Sequence, residues 1–105
     1  MASKRITAFV RESQVSTICE ALREQGINGL SLIPIRGFGE YENDYNRDGL
    51  VDHIKIEIYI KTEHVQHAVS IIINLAHTGL SGDGIIAVSD VDALYRIRTK
   101  QLMDG

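Results

Sequence analysis

An α+β fold is predicted for this 105-residue chain on three observations. Ile54, Ile56, Ile58 and Ile60 alternate with Lys55, Glu57, Tyr59 and Lys61, the period of a half-buried strand. Two other stretches repeat apolar residues at intervals of three and four, the period of an amphipathic helix. Two strands also follow one another with no helix between them, which breaks the strict strand–helix alternation of an all-parallel sheet.

Ile6, Ala8 and Val10 alternate with Thr7, Phe9 and Arg11 and predict the first strand. Ser13 is the expected N-cap of the first helix, whose stripe is Val15, Ile18, Cys19 and Leu22. Gly26 is placed to end it. Leu30, Leu32, Ile33 and Ile35 predict the second strand, and Pro34, lacking an amide donor, points to an edge or a bulge. Residues 36–53 are rich in Gly, Asn, Asp and Tyr without regular period, so a long loop is expected, mobile over about 37–53. The isoleucine strand follows. Thr62 is the expected cap of a second helix carrying Val65, Ala68, Val69, Ile72 and Ala76, with Gly79 ending it. Residues 85–88 predict a fourth strand, and 94–97 look extended again. The order, βαββαβ, is the ferredoxin-like arrangement in a single domain over 1–105.

Composition narrows the function classes. The net charge is -3, with no basic face suited to displacing counterions, so nucleic-acid binding is not expected. No apolar run approaches the ~20 residues of a membrane span, no signal peptide is recognisable, and Cys19 alone allows no internal disulfide. A cytoplasmic protein is expected.

Several clusters carry possible chemistry. Gly79, Gly82, Asp83 and Gly84 lie between helix and strand; glycines let backbone amides approach an anion, and they also cap helices and make turns. Arg96 and Arg98 alternate on an extended segment and suit phosphate contact, as they suit a solvated face. Asp44, Asn46, Asp48, Gly49 and Asp52 follow calcium-loop spacing, although Lys55 stands where the bidentate Glu belongs. His64 and His67 lie off the apolar stripe and read as exposed. No nucleophile–base arrangement is visible, so no enzyme is expected.

Three colinear stretches resemble the PII signal-transduction family: Gly26-Ile27-Asn28-Gly29-Leu30-Ser31 with Arg36-Gly37-Phe38-Gly39; His53-Ile54-Lys55-Ile56-Glu57-Ile58; and Thr78-Gly79-Leu80-Ser81-Gly82-Asp83-Gly84 with Arg96-Ile97-Arg98-Thr99. The resemblance implies a homotrimer with adenine nucleotides (ADP, AMP or ATP) in the clefts between subunits. It also implies a loop that regulates a partner protein, a transporter or an enzyme. By position, Gly37, Gly39, Gly82, Asp83 and Gly84 would line the phosphates, Arg96 and Arg98 would supply charge, and Gly29, Leu30 and Ser31 would sit near the adenine. The chain departs from the family at Glu40 and Ile85, where basic residues are usual. It also carries Tyr41 in place of the glutamine and His53 in place of the lysine that serve 2-oxoglutarate. Tyr41 and Tyr45 lie in the loop, and the resemblance does not match either to the family's modified tyrosine. Such changes resemble a carboxysome-associated PII-like group that senses adenine nucleotides with bicarbonate. Two rival readings on the same fold are a small nucleotide hydrolase and a metal-binding structural trimer of the copper-tolerance type.

Overall fold

The computed structural model describes residues 3–37 and 51–103. Four strands and two helices alternate as β1 (Ser3–Val10), α1 (Val15–Glu24), β2 (Ser31–Gly37), β3 (Val51–Lys61), α2 (Val65–Ala76) and β4 (Ile85–Val91). A short hairpin of β5 (Tyr95–Arg96) and β6 (Gln101–Leu102) follows. The sheet order is β2-β3-β1-β4, antiparallel throughout. The α+β, ferredoxin-like prediction holds.

The core forms where both helix stripes meet one sheet face. Ile6, Ala8 and Val10 of β1 and Ile56, Ile58 and Ile60 of β3 lie buried beneath Val15, Ile18 and Leu22 of α1 and Ala68, Ile72 and Ala76 of α2. Opposed residues share a face, so Ala8 against Ile56 and Ile6 against Ile58 put both strands' apolar sets on the helix side. The reverse face carries Thr7, Phe9, Lys55, Glu57 and Tyr59, and no element among the described residues covers it.

Pro34 sits on the edge strand β2, opposite Ile54, where a missing donor breaks no outer ladder. Gly26 follows α1 at φ +85°, the left-handed position that ends a helix.

Several details differ from expectation. Neither Ser13 nor Thr62 is the residue capping its helix. Each lies within a 3-10 turn, Glu12–Gln14 or Thr62–His64, that precedes the helix, and the cap positions are Gln14 and His64. Gly79 comes after the end of α2, which stops at Ala76 with His77 already extended. Residues 36–53 are not all loop: Arg36 pairs with Asp52 and Gly37 with Val51, so the ladder runs past the last apolar residue. The remainder, including Gly39, Asp44, Asn46 and Asp48, lies outside the described residues. The last extended segment does not join the sheet. Tyr95 and Arg96 pair with Leu102 and Gln101 around a turn that holds Ile97 and Arg98.

Candidate functional site

The 79–84 turn begins where α2 has ended and must lead into β4 beside the end of β1. Gly84 makes that approach possible. Its φ is +98°, and a Cβ there would lie 1.7 Å from the Phe9 carbonyl oxygen. Gly82 also has φ +98° and is buried. Both positions need glycine for a steric reason.

Asp83 closes the turn. Its carboxylate accepts hydrogen bonds from the backbone N–H of Thr78 at 2.8 Å and of Gly79 at 2.9 Å, from the Thr78 hydroxyl, and from Arg11 Nη1. Burial pushes this carboxyl up. The bonds from Thr78, Arg11 and Gly79 outweigh it and hold Asp83 well below the usual carboxylate range. Asp83 is one of the residues expected to line the phosphates; its carboxylate oxygens are engaged inside the turn.

Two more hydrogen bonds reach the turn, one from Arg11 just past β1 and one from β3. Arg11 Nη2 donates to the Ser81 carbonyl at 3.1 Å. His53 Nε2 donates to the Gly82 carbonyl at 3.0 Å, and the histidine is only 3% exposed. Because a carbonyl can only accept, the proton sits on Nε2 in this contact. His53 was expected in the loop; it is instead a buried β3 residue that pairs with Ile35 and supports the glycine turn.

At the opposite end of the sheet lies an open cleft of about 390 Å³. Gly29, Tyr59, Lys61, His64, Leu94 and Met103 are among its lining residues. Leu30 is half-buried against the core and Ser31 begins β2 opposite Glu57. The Tyr59 hydroxyl donates to Glu57 Oε1 at 2.9 Å. Glu57 and Tyr59 on the uncovered face were missed by sequence reasoning, although their outward register was already set by the isoleucine alternation.

The predicted residues therefore fall into two groups. Gly37, Gly82, Asp83 and Gly84 gather near the end of β1 marked by Val10. Gly29 and the β5–β6 hairpin bearing Arg96 lie near the end marked by Ser3, since Leu94 and Met103 share the cleft with Ser3. From Ser3 to Phe9 is about 20 Å at ~3.3 Å per strand residue. Arg96 and Arg98 are both exposed. Within one chain the hairpin base and the glycine turn line different cavities.

Asp52, the last residue of the calcium-like series, lies in β3 with its carboxylate 3.6 Å from Arg36 Nε. Among the described residues no group of three His, Cys, Asp or Glu side chains could hold a metal ion. His64 and His67 are exposed, and His67 Nε2 lies 3.0 Å from Gln25 Oε1.

Comparison with known proteins addresses the same architecture. The family described as Nitrogen regulatory protein P-II matches residues 3–101. A Nitrogen regulatory protein P-II of Porphyra purpurea is 36% identical over 94% of this chain and 95% of its own length. Nitrogen regulatory protein P-II 1 of Escherichia coli K12 is 36% identical over 97% of both chains. A crystal structure of Arabidopsis thaliana PII bound to citrate superposes with a TM-score of 0.83 at 31% identity, covering 97% of this chain and 86% of that one. With the fold, the glycine turn and near full-length similarity in agreement, this chain belongs to the PII family of regulatory, non-enzymatic signal-transduction proteins.

Proposed function

We infer that this protein is a cytoplasmic sensor that holds an adenine nucleotide in clefts between the subunits of a homotrimer. The nucleotide controls a partner protein, a transporter or an enzyme, through the segment around 37–53. The observation that carries this reading is the separation of the two halves of the site. The glycine turn adjoins Phe9, and Leu94 and Met103 at the base of the arginine hairpin share a cleft with Ser3, positions about 20 Å apart along β1 of one chain. The turn of one copy and the Arg96–Arg98 hairpin of its neighbour can meet in a closed ring, which is the usual solution of symmetric assembly. Gly29, Leu30 and Ser31 then serve the base, while Gly37, Gly39 and Gly82–Gly84 serve the phosphates.

ADP and AMP are held at least as well as ATP. Ile85, at the start of β4, brings no cation, and Glu40 stands in sequence where a basic residue is usual. A third phosphate thus brings charge with less to neutralise it. Charge-assisted hydrogen bonds contribute about 1.5–3 kcal/mol each, so one missing partner is worth roughly tenfold in affinity. The 2-oxoglutarate response is absent because Tyr41 has no amide and the His53 ring is engaged at Gly82. Bicarbonate, a smaller anion, is the second ligand at the base of the segment, as in the carboxysome-associated group. A calcium ion would have to compete with Arg36 for Asp52 and is secondary.

One calorimetric panel tests this: ATP, ADP, AMP, 2-oxoglutarate and bicarbonate, with and without magnesium or calcium. Binding of ADP or AMP, lost in a variant carrying Arg96→Ala and Arg98→Ala, is the expected result. Absence of binding by any adenine nucleotide refutes the site, and ATP binding far tighter than ADP refutes the preference.

A further inference from the structure

Arg11 is the first residue past β1, whose last pair in the β1–β3 ladder is Val10 against Ile54, and His53 is the residue of β3 just before Ile54. Each sends a donor into the same turn. Arg11 Nη2 bonds the Ser81 carbonyl at 3.1 Å, and His53 Nε2 bonds the Gly82 carbonyl at 3.0 Å. These are successive carbonyls. In a trans peptide the C=O and the following N–H point in opposite directions. Fixing the two carbonyls therefore fixes two peptide planes, and with them the Gly82 and Asp83 N–H groups. Glycines otherwise leave such planes free to rotate. The Asp83 N–H also donates to the Leu80 carbonyl at 3.4 Å, so the amide that the pair leaves to an anion is that of Gly82. The Asp83 carboxylate does not do this work, because it is engaged by Thr78, Gly79 and Arg11 Nη1 on the helix side of the turn.

We propose that Arg11 and His53 are paired positioning residues that set the peptide planes of the glycine turn and so prepare it for an anion. This rests on the turn being the phosphate site, and the two ideas can fail separately. Neither side chain need touch the ligand. The gain is preorganisation: the turn does not pay ordering entropy when the anion arrives.

The test uses the full chain with and without ADP, comparing wild type with His53→Leu, His53→Gln and Arg11→Gln. Long-range proton–nitrogen correlation of the free protein should show the His53 proton on Nε2. His53→Leu should move the Asp83 amide resonance and Arg11→Gln the Gly82 amide, each with faster hydrogen exchange. His53→Gln keeps a donor near the Nε2 position and should restore the wild-type pattern. ADP affinity should fall about 3- to 10-fold in His53→Leu and recover in His53→Gln. If His53→Leu does not fold, Arg11→Gln carries the same readouts. A proton absent from Nε2, or turn amides unmoved in both removal variants, overturns the proposal. So does wild-type ADP affinity in a folded His53→Leu protein, or a folded His53→Gln protein as weak as His53→Leu. If wild-type protein binds no ADP, the nucleotide reading falls, while the amide and imidazole signals still decide the positioning role.

Discussion

Two glycines of this chain make opposite demands on a substituting methyl group. At Gly84 a Cβ would lie 1.7 Å from the Phe9 carbonyl oxygen, on a backbone with φ +98°. At Gly29 nothing lies within 4 Å. Gly84→Ala should cost at least about 3 kcal/mol in thermal unfolding, combining left-handed strain with backbone displacement. Gly29→Ala should stay within about 0.5 kcal/mol. Asp83 supplies a second residue-scale expectation. Its folded-state carboxyl titrates below the ordinary value, so its contribution is complete above about pH 5 and is lost as the pH falls through the folded-state value. Asp83→Asn should remove about 1 kcal/mol at neutral pH, since a partly solvated ion pair is screened. It should also flatten the loss of stability between about pH 5 and pH 2. An acid-unfolding curve with the wild-type slope would show that other carboxylates set that loss.

Among the elements, legibility followed the strength of the apolar period. Ile54, Ile56, Ile58 and Ile60 announced β3, and Val15, Ile18 and Leu22 announced α1, because burial of one face dictates both patterns. The ends were hidden. Val51, Asp52 and His53 look like loop by composition, yet they extend β3 because β2 continues beside them to Gly37. Ser13 and Thr62 are good capping residues by type, but a 3-10 turn moves each helix start past them. The glycine turn stands out in the sequence as a candidate site, whereas the contacts of Arg11 and His53 to it do not. Each residue reaches it across tens of residues through side-chain bonds, which leave no periodic trace. In α2 the stripe sets a contrast: Ile72 is fully buried while Ile73 is half exposed. Ile72→Ala should cost about 2–5 kcal/mol and Ile73→Ala much less, by denaturant titration of the isolated protein. Equal losses would mean that the exposed side of α2 is covered in the assembled molecule.

For the whole molecule, the separated halves of the site make complementation possible. Ser81→Glu places a negative charge on the turn, and Arg96→Ala with Arg98→Ala disables the hairpin. Each variant alone should bind no ADP. Refolded together in equal amounts, they should regenerate about one working cleft in four, because random mixing pairs an intact turn with an intact hairpin that often. No recovery from a mixed trimer would mean that each chain builds its site alone. Light scattering that finds a stable monomer at micromolar concentration would remove the assembly itself.

The sheet order has a consequence for synthesis. The first strand made, β1, lies in the middle, flanked by β3 and β4. Its second neighbour, Ile85–Val91, emerges from the ribosome only after most of the chain. Until then β1 has an open edge or no partner, and Ile6, Ala8 and Val10 wait without a completed core. Nascent chains halted before residue 85 should therefore be cut readily by protease and held by chaperones, and those halted well beyond residue 91 should resist. The strand translated first is the one whose place is settled last.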